Sequence, residues 1–123
     1  MLEGINILVA EDNILNQKIV NFILQKQHAT VKTVSNGKEV IDLLRESHFD
    51  LVLMDLHMPV MDGFETARYI RTEMKSNIPV VAITADMFAG ETPECVEAGM
   101  NACISKPING PVLCELIVSL VAK

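Results

Sequence analysis

Three short, unbroken apolar runs constrain this chain more than any other feature: residues 5–10 (INILVA), 51–54 (LVLM) and 80–83 (VVAI). A strand with one wet face alternates polar and apolar residues, so runs of this kind fit strands buried on both faces, as in a parallel sheet. Helical spacing follows them. Leu15, Ile19, Phe22 and Ile23 come after the first run. Val40, Ile41 and Leu44 come after a weaker strand at 31–34, and Leu113, Leu116, Ile117 and Leu120 lie near the C-terminus. Each set marks one apolar face of a helix.

Punctuation agrees with these boundaries. Asn36-Gly37 and Asp62-Gly63 precede the second and third helices, and Thr92-Pro93 reads as an N-cap followed by proline at the first helical position. Gly99 reads as the left-handed cap that ends the fourth helix, before a short strand at Ala102–Ser105 and a last helix opening near Asn109 and Pro111. Asp62 reads as the N-cap of the third helix rather than a ligand. Five strand and helix pairs in alternation imply right-handed crossovers with helices on both faces of a parallel sheet, an α/β class.

A chain of 123 residues, 50% of them hydrophobic, suits one domain that buries its own core. Sixteen acidic against ten basic side chains leave a net charge of −6, which opposes direct binding to nucleic acid, because such binding neutralises phosphates with a basic face. Lacking an apolar run near ~18 residues, the chain is expected to make no direct membrane contact and to be cytoplasmic. Cys95, Cys103 and Cys114 are odd in number and show no CxxC spacing, so buried free thiols are expected rather than disulfides or zinc.

In an open parallel sheet, ligands bind beyond the carboxyl ends of the strands. The first strand ends in Glu11 and Asp12, the third in Asp55, the fourth in Thr84, and the fifth in Lys106 before Pro107. Each alone is more often a cap or a solvated side chain; together they are three carboxylates, a hydroxyl and an ammonium on one edge. Gathered carboxylates repel unless a cation compensates, and hard oxygens favour Mg²⁺, with Mn²⁺ as a substitute, over zinc. Thr84 and Lys106 suit the oxygens of a transferring phosphoryl group, and Asp55 suits a nucleophile that becomes an aspartyl phosphate.

Glu11-Asp12-Asn13, the segment 53–63 (LMDLHMPVMDG), residues 82–85 (AITA) and Lys106-Pro107-Ile108 together resemble the receiver domain of two-component response regulators. With Asn16-Gln17 and Ser105, the pattern is most similar to receivers of hybrid sensor histidine kinases. The resemblance covers nearly the whole chain. It implies a flavodoxin-like, doubly wound five-stranded sheet in the order 2-1-3-4-5 with five helices, residues 1–123 forming one receiver domain of a kind also found inside longer hybrid kinases. By position, Asp55 resembles the phosphoacceptor. Asp12, Asp55 and the main-chain carbonyl of His57 resemble direct Mg²⁺ ligands, with Glu11 acting largely through water. Thr84 and Lys106 match the switch hydroxyl and the phosphate-binding lysine, and a cis Lys106-Pro107 bond is typical of such domains. The implied activity is acceptance of a phosphoryl group from a phosphohistidine in a kinase or a histidine phosphotransfer protein, followed by transfer or hydrolysis. Such a domain catalyses its own phosphorylation and dephosphorylation without being a turnover enzyme.

One residue departs from the pattern. Three positions before the lysine, where receivers usually carry Tyr or Phe, stands Cys103, which puts the usual aromatic output switch in doubt. Other functions fit less well. An aspartyl-phosphate phosphatase resembles Asp-x-Asp at the nucleophile, whereas His57 holds the second position here. A receiver reduced to binding usually lacks one of the residues that this chain retains. A flavin site finds one Tyr and no Trp for stacking, and no GxxxxGK segment supports a P-loop.

Overall fold

The computed structural model describes residues 2–85 and 93–121, which form five parallel strands and five helices in strict alternation. The strands are β1 (Asn6–Ala10), β2 (Thr30–Val34), β3 (Leu51–Asp55), β4 (Val80–Thr84) and β5 (Ala102–Ser105). The helices are α1 (Ile14–Lys26), α2 (Gly37–Glu46), α3 (Gly63–Thr72), α4 (Pro93–Glu97) and α5 (Gly110–Val121). Strand order is 2-1-3-4-5, as the resemblance implies.

Every residue of β3 and β4 is buried, whereas the edge strand β5 is half-buried and the edge strand β2 alternates exposed and half-buried residues up to a buried Val34, which explains why β2 reads weakly in sequence. The period of two along each strand splits the core. Ile7, Val9, Leu51, Leu53, Val81 and Ile83 face α1 and α5, meeting Val20, Leu24, Leu113 and Ile117. Leu8, Ala10, Val52, Met54 and Val80 face the opposite side and meet Val40, Ala67 and Ile70 of α2 and α3. Ala82 continues that face under α4, where it packs with Leu56 and Cys95.

Side-chain caps open the helices. Asn13 accepts from the Asn16 amide and Asn36 from the Glu39 amide, each at 3.0 Å. Asp62 and Glu65 complete a reciprocal capping box on α3, and Asn109 accepts from the Val112 amide at 3.0 Å. Gly37 and Gly63 are the first helical residues rather than part of the preceding turns. Gly99 takes φ +89° after α4, as a left-handed cap requires, and the Lys106-Pro107 bond is cis. The proposed Thr92 cap lies outside the described residues.

The apolar face expected for α1 requires correction. Leu15 and Phe22 are 66% and 68% exposed, and Ile19 is exposed as well; the buried residues of α1 are Val20 and Leu24, with Ile23 partly covered. The helix is apolar on two sides, and spacing alone does not say which side meets a sheet. No described helix is long and apolar enough to cross a membrane.

A network that the sequence did not announce ties the lower half of the α3–α4 face together. The Arg71 guanidinium donates from Nε to the Gly99 carbonyl (2.9 Å), from Nη1 to the Ser76 and Ile78 carbonyls (3.0 and 2.7 Å), and from Nη2 to Asn101 Oδ1 (3.0 Å). Asn101 Oδ1 also accepts from the Val80 amide at 2.9 Å, so one cation joins α3, the approach to β4 and the turn after α4. Truncation leaves several partly buried carbonyls without a donor. Arg71→Ala is expected to lower the unfolding free energy by about 2 kcal/mol in urea denaturation; an unchanged midpoint would contradict this.

Candidate functional site

Because all five strands run the same way, their carboxyl ends share one edge, and the turn after each strand delivers its side chains there. β1 leads into Glu11 and Asp12, β3 ends on Asp55, and β5 leads into Lys106. Register sets them level: Ala10 pairs with Met54, Asp55 with Ile83, and Thr84 with Ser105. One carboxylate oxygen from each of Glu11, Asp12 and Asp55 lies within 4.8 Å of the others. Glu11 and Asp55 are buried, whereas Asp12 is exposed.

Lys106 closes the group from the β5 side. Its Nζ donates to Asp55 Oδ2 at 3.2 Å and lies 3.1 Å from Glu11 Oε1. Asp55 Oδ1 accepts from the His57 amide at 3.0 Å, which turns the chain after β3. Glu11 Oε2 accepts from the Asn13 amide at 3.1 Å, and the Glu11 carbonyl accepts from the Gln17 side chain. Thr84 is buried at the end of β4, between the strands that carry Asp55 and Lys106, and the His57 side chain stands exposed on the rim. All the residues singled out from the strand ends therefore occupy one edge. Asp62 stands apart from them as a cap.

Electrostatics at this edge follow from burial. Desolvation pushes the Glu11 carboxyl above its ordinary range, and the Asp55 charge adds to the rise; the Asn13 amide and Lys106 oppose it incompletely. Burial alone would lower the Lys106 ammonium, but the neighbouring carboxylates of Glu11 and Asp55 outweigh it and hold Lys106 above its ordinary value. A carboxyl raised by folding stabilises the folded chain below its unfolded pKa and loses that contribution as pH climbs through the folded value. In metal-free protein, the stability difference between wild type and Glu11→Gln is therefore expected to move against wild type as pH rises from about 4.5 toward neutrality. Parallel pH profiles in thermal melts would refute this.

The arrangement also fits a divalent cation. Glu11 Oε1 is buried and, despite its proximity to Lys106, has no aligned hydrogen-bond donor, leaving an acceptor with free capacity. Three acceptor-only carboxylates against one ammonium leave an excess of negative charge on hard oxygens. No ring of His or Cys ligands competes among the described residues. None of the three cysteines is in a disulfide; Cys95 and Cys114 are buried as expected, but Cys103 is only half-buried. Burial and the neighbouring Cys95 push the Cys103 thiol up to about 11, so it stays protonated at neutral pH. It packs against the Leu56, Ala82 and Cys95 cluster, at the place the resemblance assigns to an aromatic ring.

A family model described as response regulator receiver domain matches residues 7–118. Hybrid signal transduction histidine kinase M of Dictyostelium discoideum is 41% identical over 121 residues, covering 94% of this chain and 5% of the kinase. Sensor histidine kinase RcsC of Escherichia coli is 35% identical, covering 87% of this chain and 11% of RcsC. The chain thus spans a small fraction of the curated relatives it matches. Among solved structures, the receiver domain of Saccharomyces cerevisiae Ssk1, crystallised with the histidine phosphotransfer signalling protein Ypd1, superposes with a TM-score of 0.89 at 30% identity, covering 99% of this chain and 92% of the other. A receiver domain of a Pseudomonas aeruginosa sensor histidine kinase, with a magnesium ion in its active site cleft, gives 0.89 at 30% identity, covering 98% and 99%.

Proposed function

From the premise that this chain belongs to the response regulator receiver domain family, we propose that Asp55 is its phosphoacceptor and that the strand-end group around it is the phosphorylation site. The observation that carries this reading is the placement of a buried aspartate at the end of the central strand, hydrogen-bonded to Lys106 and gathered with Glu11 and Asp12. An Asp55 carboxylate oxygen attacks the phosphorus of a phosphohistidine; the P–O bond forms, the P–N bond breaks, and the leaving imidazole nitrogen keeps the electron pair and takes a proton. Lys106 moves from pairing with the free carboxylates to neutralising phosphoryl oxygens, and the Thr84 hydroxyl supplies a further donor.

Asp12, Asp55 and the His57 carbonyl are the proposed direct ligands of Mg²⁺, or of Mn²⁺ in its place, with Glu11 acting through water. When bound, the ion neutralises charge on the phosphoryl oxygens. The donor is a kinase phosphotransfer domain or a phosphotransfer protein in the cytoplasm. In support of the latter partner, a structural neighbour was crystallised with one. Its docking is placed on the rim near Met61 and Pro107 and on α1, where Ile14, Leu15, Ile19 and Phe22 form an exposed apolar side. Residues 1–123 are read as one receiver domain, as found within hybrid kinases. Incubation with acetyl phosphate and Mg²⁺, followed by mass spectrometry of proteolytic fragments, tests the reading. Phosphate on the fragment carrying Asp55 is expected.

A further inference from the structure

The loop from β3 to α3 contains a conformation that its own sequence disfavours. Val60 sits at φ +69°, and the Met61 amide donates to the Pro59 carbonyl at 2.7 Å, closing a three-residue turn around it. Turns of this hand are rare and strained, and a β-branched residue is among the worst occupants of the left-handed region. Glycine or asparagine takes that conformation far more readily. Yet the Val60 side chain is 78% exposed and belongs to none of the buried clusters of the domain.

The turn is buttressed from a second element. The Gly37 amide, at the start of α2, donates to the Met61 carbonyl at 3.2 Å. A Cβ on Gly37 would stand 2.7 Å from that carbonyl and 1.8 Å from Thr66 Oγ1, which itself donates to the Asp62 carbonyl. On the other side, Gly63 closes against the Asp55 carbonyl, where a Cβ would come to 2.8 Å. Both close approaches hold the loop where it is, so the strain at Val60 is maintained rather than relaxed.

A strained valine that contributes no burial to its own domain has its use outside it. Val60 follows β3 at the same sheet edge as Ile14 and Leu15, which follow the neighbouring β1, and all three are exposed apolar side chains. We propose that Val60 is a specificity-determining contact for the phosphohistidine-bearing protein, pushed outward by a strained turn that Gly37 supports; the proposal rests on the phosphoacceptor reading above. An apolar knob on the rim of an acidic site distinguishes a folded protein donor from a small phosphodonor, which needs only the carboxylate edge.

Two rates test this, phosphoryl transfer from phosphorylated yeast Ypd1 and labelling by acetyl phosphate, each measured for wild type, Val60→Asn and Val60→Gly. The ratio of the Ypd1 rate to the acetyl phosphate rate is expected to fall at least fivefold in both variants, while the melting temperature of Val60→Asn stays at or above that of wild type. A ratio within twofold of wild type would overturn the proposal, and so would a clearly lower melting temperature for Val60→Asn, since valine would then be serving the fold. Absence of transfer from Ypd1 to the wild type would count equally against it. Failure of acetyl phosphate to label wild-type Asp55 would instead overturn the phosphoacceptor reading itself.

Discussion

Asp55→Asn is expected to reduce labelling by acetyl phosphate to the background of the measurement while leaving the domain folded. The amide keeps the shape of the carboxylate but lacks a charged oxygen to attack phosphorus, so the chemical step has no nucleophile at the one position where Lys106 and the other carboxylates converge. Stability should not suffer. Removing a negative charge from a buried acidic group relieves repulsion toward Glu11, whose carboxyl the Asp55 charge pushes upward. Melting at or above the wild-type temperature, with no phosphate incorporated, is the expected pair of results. Undiminished labelling, or phosphate on Ser105, would end the assignment.

Removal of divalent metal should have an effect nearly as large. EDTA is expected to stop labelling and excess Mg²⁺ to restore it, because a dianionic phosphoryl group cannot approach clustered carboxylates with only Lys106 to offset them. The two acidic residues after β1 should differ in weight. Asp12 is exposed and open to direct contact, whereas Glu11 is buried, with one oxygen taken by the Asn13 amide and the other beside Lys106. Loss of an outer-shell contact typically weakens metal binding by roughly 10- to 100-fold, so Glu11→Ala should fall in that range and Asp12→Ala beyond it. Titration calorimetry with Mg²⁺ reads both. Equal affinities for the two variants would show that Glu11 is a direct ligand, and labelling undiminished in chelator would assign the acidic group another purpose.

The sequence by itself determined the layers and the edge. Runs such as LVLM and VVAI carry their burial on both faces in every residue, and parallel strands must all deliver their carboxyl ends to one side. Asp55 and Lys106, 51 positions apart, could therefore be placed together before any distance was known, and the structure sets them at 3.2 Å. Capping was legible for the same reason: Asn36, Asp62 and Asn109 act on amides three residues away. The facing of α1 was not. Val20 and Leu24 are buried and Leu15 and Phe22 are not, because the choice between two apolar sides is made by where the sheet lies. Arg71 was equally silent, since its partners Gly99 and Asn101 are 28 and 30 positions away and most of its hydrogen bonds go to carbonyls, which every residue possesses. The strain at Val60 has the same origin. Nothing local asks a valine to take a positive φ; it is held there by Gly37 at the start of another helix, a contact that exists only once the helices have packed on the sheet.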